Sequence, residues 1–88
     1  MKSFRYAAEK DALLKTKYGF GFEEVIAAIS EHLLDLVFNP SRPQQKVFIV
    51  WLEHYVYAVP FVENDREYFL KTFYPSRKLN RRYRRGGT

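Results

Sequence analysis

The chain has 88 residues, no cysteine, 47% hydrophobic and 18% aromatic residues, and a formal net charge of +5. That length makes one domain, residues 1–88, with a small core, and the apolar content sets it apart from disordered chains. Without cysteine there is neither a disulfide framework nor a thiolate metal site, and a cytoplasmic location is expected. No secretory leader pattern is read at the start, and no apolar run is long enough to span a bilayer, so no membrane partner is expected.

The charge is unevenly placed. Residues 1–44 balance Lys2, Arg5, Lys10, Lys15, Lys17 and Arg42 against Glu9, Asp11, Glu23, Glu24, Glu31 and Asp35. The whole excess therefore lies in residues 45–88. Such an asymmetry points to a polyanion or to an acidic protein partner.

Phe4-Arg5-Tyr6 reads as a short extended opening. Ala7 to Tyr18 is rich in helix formers, with a thin apolar stripe around Ala12, Leu13 and Leu14, and Gly19 is a natural stop. Gly21-Phe22-Glu23-Glu24 opens a second helix, its carboxylates favoured at the positive end of the dipole. Val25, Ile29, Leu33 and Leu36 recur at spacings of four, four and three, which is one helical face. His32 beside that face reads as a partly buried structural histidine. Asp35 to Asn39 is either the end of this helix or a short strand, and Asn39 to Pro43 is a loop by its turn chemistry.

Three strands follow. Lys46 to Leu52 is apolar on both faces and is expected in the centre of a sheet. Glu53-His54 is a tight turn without glycine, and Tyr55 to Val62 returns, with Pro60 marking a bulge or an unpaired position. Glu63 to Asp65 turns again, and Arg66 to Tyr74 is the last strand, broken at Pro75. The expected class is α+β: two N-terminal helices packed on one face of a three- to four-stranded antiparallel sheet. The opposite face, with Tyr55, Tyr57, Lys71 and the C-terminal tail, is expected to be free for function.

That tail carries Arg77, Lys78, Arg81, Arg82, Arg84 and Arg85 with no acid among them. It is either a solvated basic run or a polyanion contact. Two features favour contact: the run is fused to a hydrophobic strand, and Tyr74 and Tyr83 are interleaved with the cations. Guanidinium groups beside aromatic faces suit phosphates and unstacked bases.

The sequence has no phosphate-binding glycine loop, metal-spaced cluster or nucleophile elbow, and no cofactor is expected. His32 and His54 fall on different elements, which argues against a two-histidine acid/base pair. The remaining chemistry is cationic and phenolic. RNA can be cut without metal when the 2′-hydroxyl attacks the neighbouring phosphate in line, if the protein orients the strand, stabilises the phosphorane and helps move protons. On this reading Arg77, Arg81 and Lys71 hold the scissile phosphate. Tyr74, Tyr57 and Tyr6 are candidates for stacking or proton handling, and Lys78, Arg82, Tyr83, Arg84 and Arg85 bind along the strand.

Three stretches carry a family resemblance. Phe4-Arg5-Tyr6-Ala7-Ala8-Glu9-Lys10 is similar to an opening Phe-x-Trp-Asp-x-x-Lys. Lys17-Tyr18-Gly19-Phe20-Gly21-Phe22-Glu23-Glu24 is similar to Lys-His-Gly-Val-Ser-Phe-Glu-Glu. Tyr74-Pro75-Ser76-Arg77-Lys78 with Asn80 to Arg85 is similar to a closing Ser-Ala-Arg-Arg and its following arginines. In this order they resemble the BrnT-like toxins of bacterial type II toxin–antitoxin systems, within the RelE/ParE-like superfamily. The chain departs from that pattern at Tyr6 for tryptophan, Ala7 for aspartate and Tyr18 for histidine. The resemblance implies a RelE-like arrangement whose basic C-terminal tail can be helical. It implies a metal-independent endoribonuclease acting on mRNA, on the ribosome or free, neutralised by a cognate antitoxin from a neighbouring frame. It also implies an RNA-facing role for Arg77 and Arg81. A non-catalytic RNA- or ribosome-binding module and a ParE-like topoisomerase inhibitor remain alternatives.

Overall fold

Val47 to Leu52 is apolar at every position and belongs in the middle of a sheet, where both of its faces can be covered. The computed structural model describes residues 2–83. In chain order the elements are β1 (Ser3–Arg5), α1 (Ala8–Tyr18), α2 (Phe22–Glu31), β2 (Leu33–Asn39), β3 (Arg42–Leu52), β4 (Tyr55–Glu63), β5 (Glu67–Leu70), β6 (Tyr74–Pro75) and α3 (Arg77–Tyr83). The sheet order is β1-β5-β4-β3-β2, with β6 pairing β4 beyond the end of β5. The class is α+β, as expected. The sheet is six-stranded and mixed rather than three- to four-stranded and antiparallel, because β1 pairs parallel to β5. A three-residue strand has too short a pattern to announce a partner; Phe4 finds Tyr68, ring centroids 5.1 Å apart, only once the chain has folded.

Gly19 ends α1 in the left-handed region (φ 87°), its N–H donating to the Lys15 carbonyl at 2.8 Å. A carboxylate from α1 then starts α2: the Phe22 N–H donates to Asp11 Oδ1 at 2.7 Å, and the Gly21 N–H donates to Glu24 Oε1 at 2.9 Å. A Cβ on Gly21 would displace the Lys15 side chain and the Asp11 carboxylate that caps α2, so glycine lets cap and helix pack closely. The buried face of α2 is Phe22, Val25, Ala28 and Ile29.

That face stops sooner than its spacing predicts. Leu33 and Leu36 lie in β2 and are exposed, at 45% and 49%. His32 leaves the helix (φ −137°, ψ 37°), and its carbonyl accepts from the Trp51 N–H at 3.1 Å, which starts the β2–β3 ladder. The run from Leu34 to Phe38 gains more by pairing along β3 than by two further helical turns. His32 is exposed rather than partly buried. The loop expected over Asn39 to Pro43 contracts to the pair Pro40-Ser41, because Asn39 Oδ1 accepts from the Ser41 N–H at 3.0 Å and Asn39 already pairs with Arg42.

β3 and β4 are covered on both faces. On one, α1 and α2 bury Phe48, Val50, Tyr57, Val59, Phe61, Leu70 and Phe73, with Phe48 and Phe61 stacked at 4.1 Å. On the other, α3 covers Val47, Ile49, Val56 and Ala58. Each fully buried aromatic contributes about 1.5–3 kcal/mol of transfer free energy, so Phe22, Phe61 and Phe73 anchor the first core. The second core shows that the tail is no free appendage: as far as Tyr83 it is a helix docked on the sheet.

The Glu53-His54 turn forms as expected, with both residues at positive φ (54° and 64°), the signature of a type I′ hairpin. Pro60 pairs with Val47 in an unbroken β3–β4 register. Its carbonyl, which accepts from the Lys71 N–H at 2.9 Å, faces the other neighbour. The missing N–H therefore points to where β5 ends and β6 has not begun, the unpaired position expected of a strand proline. The last strand breaks there, over Lys71 to Phe73, and not at Pro75, which pairs with Tyr57.

Candidate nucleic-acid interface

Ser76 starts α3: its Oγ accepts from the Leu79 N–H at 3.1 Å and its carbonyl from the Asn80 N–H at 2.8 Å. The same turn closes the edge of β4. Ser76 N–H donates to the Val56 carbonyl at 3.0 Å, and the Val56 N–H donates to Asn80 Oδ1 at 3.2 Å. Leu79 and Tyr83, four residues apart, pack on the second core beside Leu34, Val37 and Trp51. Arg77, Lys78, Arg81 and Arg82 take the remaining positions and are exposed. Tyr83 completes the docking, its hydroxyl donating to Asp35 Oδ2 at 2.6 Å. That bond, with a second from the Leu36 N–H and the nearby Arg82 charge, holds the Asp35 carboxyl below the usual range; the same bond, with burial and the Asp35 charge, pushes the Tyr83 phenol up.

Paired residues in a sheet share a face, which extends this surface beyond α3. Tyr74 pairs with Ala58 and Phe69 with Val62, while Arg5 pairs with Phe69, so all stand on the α3 side. Phe69 is 37% exposed and Tyr74 44%. The Lys71 ammonium lies 5.2 Å from the centre of the Phe69 ring, and Arg5 is paired with Glu67 at 2.8 Å. Among the described residues, Lys71, Arg77, Lys78, Arg81 and Arg82 have no carboxylate within ion-pairing distance. One face of the sheet therefore carries unneutralised cations and two partly exposed rings, one of them beneath the Lys71 ammonium.

Of the residues selected from the sequence, Arg77, Arg81, Lys71, Tyr74, Lys78 and Arg82 share this face. Tyr57 does not. It lies on the α1/α2 side, 7% exposed against Tyr18, Phe20 and Phe73, and burial pushes its phenol up. The expectation that Tyr55 and Tyr57 line the open face is thus reversed, since Val56 and Ala58 are the residues on that side. Tyr6 is half-buried and stacked on Phe22 at 4.8 Å, on the helix side. Tyr83 holds α3 down and offers no free ring for a base. Arg84 and Arg85 lie outside the described residues. Phe69 and Arg5 were missed; the alternation Tyr68-Phe69-Leu70, in which Leu70 points to the core, is the signal that could have found Phe69.

The histidines do not join this face as an acid/base pair: His54 is in the β3–β4 turn and His32 at the end of α2. No group of three metal-ligating side chains occurs among the described residues. A cleft of about 540 Å³ lies on the opposite side of the sheet, lined by Phe4, Ile29, Leu33, Phe48 and Tyr68 with Lys2 and Ser30 at its rim. Lys2 is bound there to Glu63, which also takes Lys46 at 2.6 Å and is held below the usual carboxylate range by both. Its apolar lining does not suit a phosphate chain. No helix among the described residues is long and apolar enough to cross a membrane. No family model, curated protein or solved structure matches the chain.

Proposed function

We propose that this protein binds single-stranded RNA on the α3 face of its sheet and cuts it without metal, as the toxin of a type II toxin–antitoxin pair. The observation that carries the RNA part is the placing of Lys71, Arg77, Lys78, Arg81 and Arg82 on one face with the partly exposed rings of Phe69 and Tyr74. Cations placed to follow a backbone, beside rings placed for bases, are how single strands are held without sequence preference. The toxin part rests on the resemblance of three ordered stretches to BrnT-like proteins, from which Tyr6, Ala7 and Tyr18 depart.

In cleavage, the phosphate lies against Arg77 and Arg81, whose planar forks bind two oxygens at once and stabilise the charge that develops as the 2′-hydroxyl attacks. Tyr74 and Lys71 are the groups left on this face to handle protons. An acidic antitoxin segment would cover the same face. Non-catalytic RNA binding is the alternative, favoured by the loss of Tyr57 to the core and of Tyr83 to Asp35, which leaves few proton-handling groups.

The test is a labelled single-stranded RNA incubated with the protein in EDTA. Cleavage leaving 2′,3′-cyclic phosphate ends supports the toxin function. Retention of intact RNA supports the binding module, and absence of both binding and cleavage removes RNA as the ligand.

A further inference from the structure

β2 ends the sheet, and its outer edge has no partner among the described residues. Edge strands are usually defended by lysine, proline or charges pointing inward. Here Leu33, Leu36 and Phe38 stand on the α1/α2 side, opposite Val50, Phe48 and Lys46, with Leu33 bordering the cleft beside Ile29 and Ser30 of α2. They are 45%, 49% and 69% exposed. β2 contains no lysine, arginine or glutamate, and its one acid, Asp35, is already bound by Tyr83 and by the Leu36 N–H. In a molecule of net charge +5, β2 itself thus carries no unneutralised charge, and the nearby Lys46 ammonium, 5.6 Å from the centre of the Phe38 ring, is held by Glu63.

We propose that two copies of this chain pair antiparallel through β2, forming one continuous sheet about a two-fold axis. Charge separates this occupant from others. An acidic partner is drawn to the α3 face, where the cations are, whereas the side chains of β2 offer it no free cation and match those of a second copy. The strip is also self-complementary. With the axis at Val37, Leu36 of each copy lies opposite Phe38 of the other, and aromatic–aliphatic pairs across strands are favourable. The bulge at Leu34 leaves Asp35 to Phe38 in regular register, so the central pairing needs no rearrangement.

A two-fold axis perpendicular to the sheet keeps like faces together. Both α3 helices then lie on one side, near the junction of the two strands, because Tyr83 ties each to the β2 strand of its own copy. Their repulsion opposes the dimer, so salt strengthens pairing. This association stands apart from RNA binding and needs no RNA to be observed.

Sedimentation velocity over a concentration series should show a monomer–dimer equilibrium that shifts toward dimer as salt rises. Leu36→Lys with Phe38→Lys should weaken the dimer at least about tenfold, since it sets like charges opposite each other. Far-ultraviolet circular dichroism should be unchanged. A second readout does not depend on how that variant folds: the chain has no cysteine, so Leu36→Cys should be joined into dimers by a short bis-maleimide. Leu13→Cys, on α1 and 68% exposed, should not. A monomer at every concentration and salt, a dimer indifferent to the two lysines, or equal crosslinking at both cysteines would each overturn the proposal.

Discussion

The Tyr83 hydroxyl donates to the Asp35 carboxylate at 2.6 Å, joining residues 48 apart in sequence and fastening the last described turn of α3 to strand β2. The basic helix thereby becomes part of the sheet's surface instead of a mobile arm. Its cations are presented at fixed spacing, which lowers the ordering cost when a polyanion binds.

This clasp has a pH window set by its two groups. Asp35 has a folded pKa below its unfolded one, so its contribution is present above the ordinary carboxylate value, near 3.8, and is lost as pH falls through the folded value. Tyr83 has a folded pKa above its unfolded one, so its contribution is present below the ordinary phenol value of 10.0 and is lost as pH rises through the folded value. Amide exchange over residues 77–83 should therefore be slow across neutral pH, with local opening raised under both acidic and strongly basic conditions. Tyr83→Phe should remove the rise at high pH, weaken the rise at low pH, and leave the amides of β3 protected. Unaltered exchange in α3 would show that Leu79 and the Asn80 bond hold the helix alone.

RNA affinity should fall steeply with salt, the log–log slope being about −0.7 per phosphate neutralised on a single strand. Arg81→Ala with Arg82→Ala should flatten it by about one to two phosphates' worth. Phe69→Ala should lower affinity by about 1–3 kcal/mol without changing the slope, because stacking releases no counterions. Fluorescence anisotropy at several salt concentrations measures both. A Phe69→Ala protein that binds as tightly as the parent would remove that ring from the interface.

Cleavage separates Arg77 from His54. Arg77→Ala should slow turnover by about 10²–10³, as losing one preorganised donor does elsewhere. Its binding should weaken far less, because other cations remain on the face. Arg77→Lys should rescue only in part, since a point charge lacks the planar fork. His54→Ala should leave the rate almost unaltered, and EDTA should have no effect. A folded His54→Ala that is inactive beside an active Arg77→Ala would move the chemistry to histidine.

The β3–β4 turn stores strain. Glu53 and His54 both adopt positive φ, which costs an ordinary residue roughly 1–2 kcal/mol. Glu53→Asn with His54→Gly, the pair a type I′ turn prefers, should therefore stabilise the fold by about 1 kcal/mol and raise the midpoint by about 4–8 °C. Thermal unfolding monitored by circular dichroism reads this directly. A lowered midpoint would show that these side chains make contacts worth more than the strain.

What was legible in the sequence was local. Gly19 stops α1 where its left-handed preference predicts, and the acids of α2 sit at its start. The apolar run of β3 is central, Pro60 faces a gap in pairing, and the uneven charge survives as an exposed cationic helix. Each depends on a propensity or a periodicity carried by a few adjacent residues. The site was half legible for the same reason. Arg77, Arg81, Lys71 and Tyr74 announce themselves by type, but sequence does not say which face of a strand a tyrosine takes when both faces are buried. Alternation separates Tyr57 from Val56 without deciding which side the helices cover, and that depends on how Phe20, Phe22 and Phe73 pack. The change from helix to strand at His32 was hidden too, because Leu33 and Leu36 fit the helical period and only the ladder with β3 outweighs it. Tertiary structure alone decided the rest: β1 beside β5, α3 closing the edge at Val56, and Tyr83 reaching Asp35. All three join segments remote in sequence, and such contacts form only after the first core has brought their partners together.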